Sequence, residues 1–112
     1  MTEQQGDLEA LRSRIQQVDE ALVRLIGERR ALVLAIGRAK VAQGLPVLDP
    51  PQEAKVVRRA AELARELGVD EEAVRDILWR IVASARDEQE GRTRWGPPLP
   101  DTAEDPQGPP EV

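Results

Sequence analysis

From Leu8 onward, large apolar side chains fall at Leu8, Leu11, Ile15, Val18, Leu22, Leu25, Leu32 and Ile36. The steps alternate between three and four residues, which gathers these side chains on one helical stripe of near-heptad type. No proline interrupts the stripe before Pro46, and the internal Gly27 and Gly37 are modest penalties. The pattern predicts one long helix from about Asp7 to about Ala42, roughly 50 Å along its axis. Gly44 supplies its stop, with Pro46 just beyond.

Asp49-Pro50-Pro51-Gln52-Glu53 then has the form of a helix start. Asp49 is the N-cap, Pro50 takes the first helical position, and Gln52 is placed to complete a capping box. The second helix runs to about Glu66, with Val56, Val57, Ala60, Leu63, Ala64 and Leu67 inward. Leu67-Gly68-Val69-Asp70 ends it and caps the next. The third helix spans about Glu71 to about Glu90, with Val74, Ile77, Leu78, Ile81, Val82 and Ala85 inward. From Gly91 the chain turns Pro-rich and acidic, without periodicity, and Trp95 alone does not order it. The expected organisation is a flexible N-terminus over 1–6, a helical domain over 7–91 and a disordered tail over 92–112.

The fold class is all-α, with one long helix and two shorter ones. Two short partners cannot cover the whole stripe of the long helix, so the surplus calls for a second copy. An intertwined homodimer meets that need economically, and a long coiled coil is the competing arrangement.

Composition narrows the chemistry. The 112 residues include no Cys, His or Tyr, and Trp79 and Trp95 are the only aromatics. Thiol nucleophiles, His-based triads, disulfides and the usual zinc ligand sets are therefore unavailable. A net charge of −5 argues against a general nucleic-acid partner. The polar start MTEQQGDLEA is no signal peptide, and no apolar run is long enough for a membrane. A cytoplasmic location is the expectation.

Against this background, Arg12, Arg29, Lys40 and Glu53 stand on or beside the apolar stripes, where a charge is costly unless paired. Arg29 lies between Leu25 and Leu32, and Lys40 follows Ile36 by four. Eleven residues, about three turns, separate Arg29 from Lys40, so both point the same way, roughly 16 Å apart along the axis. Two long side chains leaning inward suit one small polyanion. Arg12 is roughly 25 Å from Arg29 along the axis, too far to share a metabolite within one chain. If it belongs to the site, it comes from a partner in antiparallel overlap. Taken singly, each of these charges reads as a snorkelling edge residue, a cap or a surface pair; the weight lies in their combination.

The ordered series Leu11-Arg12, Ile15, Asp19, Leu22, Leu25, Glu28-Arg29-Arg30, Ile36-Gly37, Lys40, Leu45-Pro46-Val47, Asp49 and Glu53 resembles the all-helical class of chorismate mutases. The resemblance runs over about residues 7–90 and continues to Gln89. It implies an intertwined homodimer with two sites, each enclosed by helices of both chains, and a small dianionic substrate with no cofactor. It further implies that Arg12 crosses over from the partner and that Arg29 binds a carboxylate. Lys40 would contact a carboxylate and the ether oxygen, Asp49 and Glu53 would surround the hydroxyl, and Gln89 would donate to the ether oxygen.

Two positions depart from the pattern. Gln52 stands where the family commonly carries Arg, and Ala85 where it commonly carries Ser. Both lie near the ring substituents, so the resemblance also admits 4-amino-4-deoxychorismate mutase or isochorismate-pyruvate lyase activity. A non-catalytic helical dimer module is a further alternative. A larger enzyme of the shikimate pathway, in aromatic amino acid biosynthesis, is a possible partner.

Overall fold

The computed structural model describes residues 3–92, which form three α-helices in the order α1 (Glu3–Ala42), α2 (Pro50–Leu67) and α3 (Glu71–Gln89). The Pro-rich segment expected from residue 92, including Trp95, lies outside the described residues beyond Arg92 itself. The ends of the helices follow local chemistry. Asp49 Oδ1 accepts the Gln52 amide at 3.2 Å, capping α2 with Pro50 at its start. The Gln52 side chain is not seen returning the capping-box bond among the described residues; it lines a cleft instead. Asp70 caps α3 by accepting the Glu72 and Ala73 amides.

Gly44 ends α1 with φ +72°, and the Leu45 amide donates back to the Lys40 carbonyl at 2.8 Å. Gly68 ends α2 in the same left-handed conformation, with Val69 N–H bound to the Ala64 carbonyl at 2.8 Å. A side chain at either position would force a conformation that L residues rarely adopt. α1 begins at Glu3 rather than near Asp7. The first residues have no apolar period to announce a helix, yet Glu and Gln propagate one readily.

α2 packs along α3, and α1 touches α3 more lightly; α1 and α2 make no direct packing contact among the described residues. The core is small: Val57, Ala61 and Ala64 of α2 with Val82 of α3. Leu63, Leu67 and Ile77, read as inward from the period, stand exposed. The α2–α3 contact covers one narrow face of each helix, and these three side chains lie outside it. Arg30 ties α1 to α3 through a two-point bond to Glu88, Nε to Oε1 at 2.8 Å and Nη2 to Oε2 at 3.0 Å. The Arg29-Arg30 pair is thus divided between two tasks.

The α1 stripe is the outstanding feature of the fold. Its eight apolar positions are exposed, from 47% at Leu8 to 64% at Leu32. The radius of gyration is 17.8 Å, against about 13 Å for a compact 100-residue domain. Covering the remainder of each stripe side chain contributes about 1 kcal/mol or more. The stripe as a whole is therefore worth about 10 kcal/mol, the scale of a whole domain's stability. No helix among the described residues is long and apolar enough to cross a membrane.

The α2–α3 turn carries a titratable clamp. Arg65, in the last turn of α2, donates to Glu71, in the first turn of α3, with Nε to Oε2 at 2.6 Å. That hydrogen bond, reinforced by the charges of Arg65 and Arg75, holds the Glu71 carboxyl below its ordinary pKa. A depressed carboxylate pKa stabilises the fold above the unfolded pKa, and the contribution is lost as pH falls through the folded value. Arg65→Met should return the Glu71 titration midpoint toward the ordinary carboxylate range. Side-chain NMR titration reads this directly, and an unchanged midpoint would show that the clamp is not formed.

Candidate active site

The gap between α1 and α2, closed at the back by α3, forms a cleft of about 150 Å³. Each element contributes one face. α1 presents Arg29, Val33, Ile36 and Lys40, spaced four, three and four residues apart and so on a single side of the helix. The connecting loop adds Val47 and Asp49, the first turns of α2 add Gln52, Glu53 and Val56, and α3 adds Val82, Ala85 and Gln89. The lining joins aliphatic side chains to a few charged and amide groups, the ordinary make-up of a small-molecule site.

Seven of the eight residues singled out from the sequence line this one cleft: Arg29, Lys40, Asp49, Gln52, Glu53, Ala85 and Gln89. Arg12 does not. It lies exposed on the N-terminal half of α1, and the unbroken helix sets it roughly 25 Å from Arg29 along the axis.

The Lys40 ammonium is held at the C-terminal end of α1. It donates to the Val47 carbonyl at 3.2 Å and stands 4.0 Å from the Asp49 carboxylate. An ammonium has three donors, and the one hydrogen bond to Val47 leaves the others for a ligand. Arg29 has no carboxylate partner among the described residues. A guanidinium in that state suits an incoming carboxylate, which it can bind at two points.

Glu53 has a partner that the sequence reading did not identify. Arg86 of α3 donates to it from Nε at 3.4 Å to Oε2, and from Nη2 to Oε1. The Glu53 side chain is largely covered, at 16% exposure, while that of Arg86 is 41% exposed. The Glu53 hydrogen bond, then its charge, raises the Arg86 pKa further, so the guanidinium is permanently charged. Arg86 follows the core residue Val82 by four. It therefore occupies a stripe position, the same signal that drew attention to Arg29.

The charges of the lining decide what the cleft can bind. Arg29 and Lys40 balance Asp49 and Glu53, so the lining of one copy is neutral. Adding Arg86 on Glu53 leaves one positive charge in excess. A dianion bound there would leave one negative charge unbalanced by these five side chains.

Comparison with known proteins bears on these residues as a set. The family described as chorismate mutase type II matches residues 11–90, which spans all three helices. The T-protein of Enterobacter agglomerans is 37% identical over 77 residues, 69% of this chain and 21% of that protein. A chorismate mutase of Methanocaldococcus jannaschii is 33% identical over 64 residues, 57% of this chain and 65% of that protein. The 4-amino-4-deoxychorismate mutase of Streptomyces pristinaespiralis is 32% identical over 94 residues, 83% of this chain and 73% of that protein. The chain thus spans about a fifth of the length of the T-protein. No solved structure matches the chain significantly. With a match that covers most of the chain and takes in every lining residue of the cleft, the protein belongs to the type II chorismate mutase family.

Proposed function

We propose that the protein is a chorismate mutase that rearranges chorismate to prephenate, acting as a homodimer with two sites built from both chains. The observation that carries this reading is the composition of the cleft. Two cations, Arg29 and Lys40, line it beside aliphatic side chains, together with the neutral donor Gln89 and the acceptors Asp49 and Glu53. The set contains no thiol, imidazole or phenol, and the chain has none to offer.

A unimolecular pericyclic shift needs none. One C–O bond breaks as one C–C bond forms, with no nucleophile and no obligatory proton transfer. The protein's task is to hold the substrate compact and to stabilise charge where it develops. Arg29 clamps one carboxylate. Lys40 and Gln89 face the ether oxygen, which gains negative charge as its bond to carbon breaks. Donors that bind the transition state more strongly than the ground state lower the barrier. Asp49 and Glu53 accept from the ring hydroxyl.

The second carboxylate falls to Arg12 of a second copy. Two observations support this. The exposed α1 stripe requires a partner of its own length, and an antiparallel copy of α1 supplies one. The neutral lining, with Arg86, is also one cation short of a dianion's charge, and Arg12 makes up the difference. A non-catalytic helical dimer would use the same stripe, but it has no need of the polar lining. As the T-protein matches over only a fifth of its length, association of this chain with a larger enzyme is a corresponding arrangement.

The test is a side-by-side product assay on chorismate, isochorismate and 4-amino-4-deoxychorismate, with products identified by NMR. Prephenate from chorismate at the highest kcat/KM is the expected result. Pyruvate release from isochorismate, or preferred turnover of the amino analogue, would reassign the substrate. No turnover of any of the three by folded protein, alone or with a pathway partner, would remove the enzymatic reading.

A further inference from the structure

The Arg86–Glu53 pair lies at the end of the cleft where α2 begins, one helical turn from the core residues Val57 and Val82. Arg30 and Glu88 join α1 to α3 separately. The pair links α2 to α3 across 33 positions of sequence and fixes a carboxylate that lines the site. Arg86 does not itself line the cleft. Its effect on a bound molecule therefore passes through Glu53.

We propose that Arg86 is a specificity-determining positioning residue, which makes this end of the cleft select a neutral hydroxyl over an ammonium group on the substrate ring. The inference rests on the function proposed above and concerns the group that Glu53 meets. An unpaired carboxylate at this place would attract a cationic substituent strongly. With Arg86 bound, the pair carries no net charge, so an ammonium entering beside it finds the attraction of the carboxylate already compensated. A hydroxyl needs no such attraction. A carboxylate offers about four lone-pair positions, and a two-point guanidinium bond uses two of them. The remaining positions can accept from a hydroxyl held in a defined direction. The neighbouring Gln52 is neutral and leaves this balance to Arg86. The rigid fork matters as well as the charge, because a lysine would hold Glu53 at one point only.

The experiment compares kcat/KM for chorismate and 4-amino-4-deoxychorismate, whose amine is protonated near neutral pH. It uses wild-type protein, Arg86→Met, Arg86→Lys and Glu53→Gln with and without Arg86→Met. Arg86→Met should raise the amino-to-hydroxyl ratio by about tenfold, the scale of a partly screened charge contact. Arg86→Lys should keep most of the wild-type ratio while lowering kcat on chorismate. In the Glu53→Gln background, Arg86→Met should leave the ratio within about twofold, because two residues acting as one unit are not additive. Helical circular dichroism checks the fold, and Arg86→Gln carries the comparison if Arg86→Met loses it. An unchanged ratio in active Arg86→Met protein, or an equal shift with Glu53 already replaced, would overturn this inference alone. Wild-type protein inactive on both substrates would overturn it together with the proposed function.

Discussion

Lys40→Ala should lower kcat on chorismate by about 10²–10³ while the protein stays folded, because it removes a donor aimed at developing charge. The structure separates this catalytic loss from a folding loss. The ammonium makes one hydrogen bond, to the Val47 carbonyl, and its nearest carboxylate is Asp49 at 4.0 Å. Losing one such bond from a side chain that is 23% exposed costs about 1 kcal/mol. The helix is stopped by Gly44 through backbone bonds that the substitution leaves in place. Steady-state kinetics with a thermal melt separates the two effects. Turnover near the wild-type rate would exclude Lys40 from the reaction, and with it the assignment of the cleft as the catalytic site.

The second large effect concerns the arginines. Arg29→Ala and Arg12→Ala should each lower kcat/KM by tens- to thousands-fold, although only Arg29 lines the cleft of its own chain. Each truncation leaves a substrate carboxylate enclosed without its partner, at about 2–5 kcal/mol. Arg12 lies exposed on a half of α1 that carries none of the cleft lining. If one chain alone formed the site, replacing it would change little, as surface substitutions usually stay within about 0.5 kcal/mol. A severe loss at so remote a position therefore points to a second subunit.

Much of this arrangement was legible in the sequence, for local reasons. Asp49 with Pro50, Gly44 and Gly68 act within a few residues of themselves, so the ends of α1 and α2 could be read directly. The spacing of Arg29 and Lys40 needed only an unbroken helix to put both on one cleft. Other features depend on which faces meet. Leu63, Leu67 and Ile77 fit the helical period but stand exposed, because period alone does not say how wide a face the partner helix covers. Arg86 passed unnoticed because its partner Glu53 lies on another helix. Its place four residues after Val82 was the available signal. Arg30 likewise looked like half of a surface pair until Glu88 was brought beside it. Arg29 and Lys40, by contrast, showed in the sequence because each stood on an apolar stripe that was otherwise continuous, whereas Asp49 and Gln89 gained their site roles from the family resemblance.

The central claim is that one site takes Arg29 from one chain and Arg12 from another. Mixing the two single variants tests it. A heterodimer of Arg12→Ala and Arg29→Ala chains contains one site with both arginines and one site with neither. If the site is shared, isolated heterodimers should recover about half the wild-type activity per dimer, from parents that are each nearly inactive. If each chain builds its own site, every site in the mixture lacks one arginine. Heterodimers no more active than the parent variants would contradict the account.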